Sequence, residues 1–179
     1  MKIITFLGNP GLKYKKNRHN AGFIIGEMFA KKFGIKTGLK KFHSSYGRGF
    51  VNGDDVVLIF PQTYMNKSGL AVQDAVQYFN EKTANLIVVH DEIELPFGEV
   101  RVKIAGGHKG HNGLRSIIQY VDSAEFTRIR IGVGRPDNPE MEVADYLLSN
   151  FSKDEYNSLI SMAPEILDAI ITETNKSIV

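Results

Sequence analysis

Apolar positions along this chain change period repeatedly, from short continuous runs to stripes spaced three and four residues apart. Ile3–Leu7 reads as a buried strand, whereas in Ala21–Lys32 the residues Ile24, Ile25, Met28 and Phe29 share one helical face. Tyr46–Val51 and Val56–Phe60 are strand-like on either side of Asn52-Gly53-Asp54, a hairpin signal. Leu70, Val72, Val76 and Phe79 give Ser68–Phe79 helical spacing, and the apolar run Leu86–Val89 predicts a central strand. Val100–Ile104 and Ile129–Val133 read as further strands, Leu114–Val121 as a helix, and Val143–Leu148 and Glu155–Thr174 as terminal helices, the last with a possible kink or restart at Pro164. Strands separated by helices predict a single-domain three-layer α/β/α sandwich over residues 1–179. The hairpin at Gly53 predicts a mixed, largely parallel central sheet rather than a purely parallel one. In such sheets ligands gather where strand ends meet loops.

Composition agrees with a globular chain: 42% of the 179 residues are hydrophobic and 23% charged, enough for both a core and a solvated surface. The chain has no cysteine, which removes disulfides, thiolate nucleophiles and thiolate zinc sites. The first apolar run is too short for a signal segment or a membrane span, so the expectation is a soluble protein of the cytoplasm. The formal charge of +2 conceals an asymmetry: residues 1–60 carry eleven Lys or Arg against three Asp or Glu, and residues 136–179 two against nine. Such a split suits steering of a polyanion toward one face, unless folding interleaves the segments.

Chemistry concentrates in glycine-punctuated loops rich in His and Asn. Leu7-Gly8-Asn9-Pro10-Gly11 follows the first strand but lacks G-x-G-x-x-G, and Pro10 removes an amide donor that a phosphate cradle would use. His19 precedes the first helix, and His90-Asp91-Glu92 ends the predicted central strand. If Asp91 bonds one nitrogen of His19, the other can take a proton from water, giving a base with an orienter and no covalent nucleophile. Met65 reads as core filler, while Asn66 is either part of a helix cap or a donor to a substrate carbonyl or developing oxyanion. Asn112 is open to the same two readings at the end of Gly106–Gly113. His108 and His111 do not form H-E-x-x-H, no standard zinc pattern occurs, and no G-x-S-x-G elbow is present.

From Leu7 to about Phe151 the chain resembles bacterial-type peptidyl-tRNA hydrolases. The segments that carry the resemblance are Leu7–Gly11 with Tyr14, Arg18–Gly22, Pro61–Gly69, His90–Gly98, Gly106–Leu114 and Phe126–Pro136. The resemblance implies a monomeric enzyme, needing no metal or organic cofactor, that cleaves the ester between a peptide and the terminal ribose of tRNA. It implies His19 as general base and Asp91 as its orienter. Asn9, Asn66 and Asn112 would then hold the peptide main chain or reacting carbonyl, Tyr14 and Met65 would shape the groove, and His111 would support the site. Lys103 and Arg130 would belong to a basic surface for the tRNA acceptor stem and 3′ end. Asn17, Glu94 and Ala105 stand where threonine, aspartate and glycine are more usual in the family, and the segment after Phe151 departs from its pattern. From the residues alone, a non-catalytic RNA-binding module and a metal-dependent hydrolase using the His-rich loop remain as alternatives.

Overall fold

The structure, a computed structural model, describes residues 1–177. Seven strands among these residues form one sheet: β1 (Lys2–Phe6), β2 (Leu39–Lys41), β3 (Ser44–Val51), β4 (Asp54–Pro61), β5 (Leu86–Glu92), β6 (Val100–Ile104) and β7 (Thr127–Gly132), in the order β2-β3-β4-β1-β5-β7-β6. The central β4, β1, β5 and β7 are mutually parallel, and antiparallel β3 and β6 flank them. Helices α1 (Ala21–Lys32) and α5 (Lys153–Thr174) cover one face, and α2 (Ser68–Tyr78) and α3 (Asn112–Val121) the other, with a short α4 (Val143–Leu147) near the strand ends. The expected mixed α/β/α sandwich is therefore the fold observed.

Alternation along each strand divides the core in two. Ile4, Phe6, Val56, Leu58, Ile87, Val89, Ile129 and Ile131 pack toward α1 and α5, while Ile3, Leu7, Val57, Ile59, Leu86 and Val88 pack toward α2 and α3. In β1, β4 and β5 both faces are apolar because both are covered, which is why these strands read as continuous runs, whereas β7 alternates Ile129 and Ile131 with Arg128 and Arg130. The β3–β4 hairpin turns on Asn52 and Gly53, both at positive φ (50° and 89°), the backbone that a two-residue turn of the favoured hand requires.

Several boundaries differ from the sequence expectation. Exposed β2, Leu39-Lys40-Lys41, was not anticipated because none of its residues is buried. Helix α5 starts at Lys153, two residues early, on a capping box: Ser152 Oγ accepts from the Glu155 amide at 3.1 Å and Glu155 accepts from the Ser152 amide at 2.8 Å. It continues through Pro164 without restarting. Strand β7 begins at Thr127, so Arg128 and Arg130 lie inside it, on the face opposite Ile129 and Ile131. Pairing sets Arg130 beside Arg101 and Arg128 beside Lys103. Four cations thus occupy the α3 side of one sheet edge.

At the start of α1, a side-chain carbon on Gly22 would lie 2.6 Å from the carbonyl oxygens of both Leu7 and Val89. Only glycine lets the helix approach the ends of β1 and β5 this closely. Ala105, by contrast, has φ 66°, a left-handed backbone that costs a residue with a Cβ roughly 1–2 kcal/mol. Ala105→Gly should therefore stabilise the fold by about 1 kcal/mol after the added chain entropy of glycine is subtracted. Thermal unfolding should show a midpoint raised by roughly 2–4 °C, and a lowered midpoint would contradict strain at this residue.

Candidate active site

His19 sits in a single 3-10 turn, Arg18–Asn20, that leads into α1, and it is buried. Its Nδ1 lies 2.7 Å from Asp91 Oδ2, at the carboxyl end of β5. The other carboxylate oxygen, Oδ1, is 2.9 Å from His111 Nε2. His111 is the residue before α3, and its Nδ1 accepts from the amides of Gly113 at 3.1 Å and Leu114 at 3.3 Å. A nitrogen that accepts amide protons carries none of its own, so His111 holds its proton on Nε2 and donates it to Asp91. With His19 donating through Nδ1, Asp91 receives one N–H on each oxygen. The His19 Nε2 lone pair is left for the cleft.

Of the two readings open for Asn112, the helix cap belongs to His111 instead. Neither Asn66 nor Asn112 caps a helix: α2 has no side-chain cap, and both carboxamides are exposed without a protein hydrogen bond among the described residues. Both line a cleft of about 460 Å³ together with Asn9, Tyr14, His19, Met65 and His111. Asn9 is held through both of its main-chain polar groups by Asn20, whose Oδ1 accepts from the Asn9 amide and whose Nδ2 donates to its carbonyl, each at 2.9 Å. Asn9 Oδ1 in turn accepts from the Met65 amide at 2.7 Å. Since that amide can only donate, the Asn9 Nδ2 must be the free end of the carboxamide. Met65 is both core and cleft wall, buried among the α2–α3 side chains while lining the site. Tyr14 meets Tyr64 edge to face, with ring centroids 6.3 Å apart.

Lys103 and Arg130 lie outside this cleft, around a small hollow beside His90, His108, Lys109 and Arg128. Arg130 is paired with Glu92 at 3.0 Å. Lys103 has its pKa lowered by desolvation and by the neighbouring cations Lys109, Arg130 and Arg128. Arg128 was not singled out from the sequence, yet it is almost fully buried, donates to the carbonyls of Gly106, Gly107 and Ala124, and lies 4.3 Å from the Phe126 ring. Its signal was present in the alternation Thr127-Arg128-Ile129-Arg130-Ile131. These cations come from the nearly neutral middle of the chain, not from its basic first third. The acidic last third is partly interleaved: Arg18 bonds Ser149 Oγ at 2.6 Å, the Asn150 carbonyl at 2.9 Å and Glu155 at 2.8 Å, and lies over Tyr146.

The three departures have local explanations. Asn17 Nδ2 donates to Asn150 Oδ1 at 2.7 Å across an isolated bridge, Glu94 pairs with Arg135, and Ala105 bears the backbone strain noted above.

Residues 3–178 match the family model described as peptidyl-tRNA hydrolase. The chain belongs to the peptidyl-tRNA hydrolase family. It is 43% identical over 170 residues to the peptidyl-tRNA hydrolase of Bacillus subtilis, covering 95% of this chain and 86% of that protein. With that of Finegoldia magna it shares 44% identity over 176 residues, 97% and 92% of the two chains. The crystal structure of peptidyl-tRNA hydrolase from Acinetobacter baumannii superposes with a TM-score of 0.90 at 36% identity, over 97% of this chain and 88% of that one. The family match extends well past Phe151, where the sequence resemblance had faded, so α5 is part of the family's domain.

Electrostatics separates the three buried histidine and aspartate groups further. Burial acts to lower the His19 pKa, but the charge and hydrogen bond of Asp91 outweigh it and raise the pKa above 6.5. Burial acts to raise the Asp91 pKa, yet the two imidazoles and their hydrogen bonds hold it far below the ordinary carboxylate range. His90, buried and donating from Nδ1 to the Asp91 carbonyl at 2.7 Å, is pushed down to about 3 by burial and by His111. It stays neutral in this environment. His19, Asp91 and His111 do place ligand atoms within 4.8 Å of one another, but the cap fixes a proton on His111 Nε2, the atom a metal would need. NMR titration should give His19 a midpoint above 6.5. In Asp91→Asn it should fall below 6.5, because burial then acts alone; an unmoved midpoint would refute the pairing.

Proposed function

We propose that this chain hydrolyses the ester joining the carboxyl terminus of a peptide to the terminal ribose of tRNA, with His19 as the general base. The observation that carries the reading is the buried chain from the α3 cap through His111 and Asp91 to His19, ending on a free Nε2 beside three uncharged carboxamides. His19 Nε2 takes a proton from water as the water oxygen bonds to the ester carbonyl carbon. The carbonyl π electrons move onto oxygen, and the Asn9 Nδ2 donates to that oxyanion, an interaction worth roughly 3–4 kcal/mol in comparable sites. The carbon–oxygen ester bond then breaks, and the ribose oxygen leaves with the electron pair and recovers the proton from His19. Asn66 and Asn112, which can both donate and accept, grip the peptide main chain. Alcohol is a good enough leaving group that no acyl-enzyme is needed, which accounts for a site without an activated Ser or Cys. Tyr14 borders the cleft, while Lys103 and the Glu92-paired Arg130 face the phosphates of the acceptor stem. We infer a monomer that acts in the cytoplasm and as one domain; among the described residues no helix is long and apolar enough to cross a membrane.

Incubation with N-acetyl-aminoacyl-tRNA should release the acyl-amino acid equally with and without EDTA. His19→Ala should slow turnover by about 10²–10⁴-fold while the circular dichroism spectrum is unchanged. Activity should fall as pH drops through the raised His19 pKa, because the base must be neutral. Binding without cleavage would support an RNA-binding module, and inactivation by EDTA a metal-dependent hydrolase. For the phosphate-facing edge, Lys103→Ala should reduce the slope of log affinity against log salt by about 1. An unchanged slope would remove Lys103 from the tRNA surface.

A further inference from the structure

A second and larger cleft, of about 590 Å³, opens on the α1 side of the Asn9 loop and is lined by Leu12, Phe23, Ile24, Met28, Tyr156 and Ile160. It lies within the size range of ligand pockets. Its wall toward the reactive cleft is the Asn9–Asn20 pair, and Asn9 lines both. We propose that this cleft receives the upstream residues of the peptide, those N-terminal to the esterified one, as an apolar and sequence-tolerant channel. The proposal rests on the peptidyl-ester reading given above.

Strand order supplies the direction. Across the carboxyl edge of the sheet, the cation-bearing β6 and β7 lie on one side of β5, which holds Asp91, and β1 and β4, which lead to Asn9 and Gln62, lie on the other. With the nucleic acid held at the β6–β7 end, a peptide leaving the reacting carbonyl is carried toward β1 and β4. Continuity through Asn9 then places it in the second cleft. The lining suits such an occupant. Leu12 is 87% exposed and Ile160 37% exposed, apolar surface left open at the rim, and the flexible Met28 can adapt to different side chains. Most peptides carry apolar stems along a repeating main chain, so a channel walled largely by apolar and aromatic side chains accepts many of them. Lys15, Lys31 and Glu27 also border it, so its rim offers charges of both signs, two positive and one negative.

The test uses the whole chain and two substrates on one tRNA: an N-acetylated single amino acid, and an N-acetylated apolar hexapeptide ending in that amino acid. For the unmodified chain, kcat/KM should be about tenfold higher for the hexapeptide, the scale expected when apolar groups fill a pocket. Leu12→Gln combined with Ile160→Gln changes no charge and alters surface side chains. It should bring the ratio of the two values close to one. A ratio that the double variant leaves unchanged, or an equal fall on both substrates, would overturn the channel. Failure of the unmodified chain to cleave either substrate would instead overturn the underlying ester-hydrolase reading.

Discussion

Two N–H groups on one buried carboxylate hold this site together. Asp91 is almost fully buried, and an ionised carboxylate in that position is tolerable only if its oxygens are satisfied. The donors come from the turn before α1 and the turn before α3, so the carboxylate fastens two helix entrances to the end of β5. The dependence continues outward. His111 can donate to Asp91 because its other nitrogen is occupied by the amides of α3, so a helix N-terminus selects the tautomer that selects the orientation of Asp91. His19 is thereby positioned by secondary structure rather than by a free side-chain torsion, as the general-base role proposed for it requires.

The side of the cleft proposed to meet the ester carbonyl is fixed by hydrogen bonds of the same kind. Asn9 would be ambiguous as a lone carboxamide, since either end could face the substrate. Its main-chain N–H and carbonyl are locked by Asn20 and its side-chain oxygen by the Met65 amide, which leaves only a donor. Gly22 permits the approach of α1 that brings Asn20 within reach, because any Cβ there would strike two strand-end carbonyls. A packing constraint in the backbone is thus converted into the polarity of a hydrogen-bonding group.

The layers and most elements were legible in the sequence because their covered faces leave long apolar runs and stripes. The pairing of His19 with Asp91 was legible as chemistry, a base beside an orienter, although 72 residues separate them. What escaped was information carried by contacts without local pattern. The β2 strand is exposed throughout, so nothing periodic marks it. Arg18 is fixed by residues 131 to 137 positions away, and no spacing rule links such segments. The assignment of the α3 cap to His111 rather than Asn112 depended on where the helix begins, by a single residue. Charge counted along the chain pointed to the first third, whereas the cations beside the site are strand residues whose alternation with Ile and Val puts them on one face.

Under the proposed mechanism, the cation cluster also accounts for the choice of carboxamides as the groups that meet the substrate. Arg128 and Lys109 sit on the same side of the sheet as His111, and two of the neighbouring strand cations are paired, Arg130 with Glu92 and Arg101 with Glu99. A further Lys or Arg in the cleft would stabilise an oxyanion more strongly than an amide does, but it would also oppose protonation of His19 and weaken it as a base. Uncharged donors stabilise the developing oxygen charge without that effect. Asp91 therefore remains the dominant charge at His19 and holds its pKa up, while the positive field stays at the edge of the sheet, where the proposed mechanism has it act on phosphates instead of on the base.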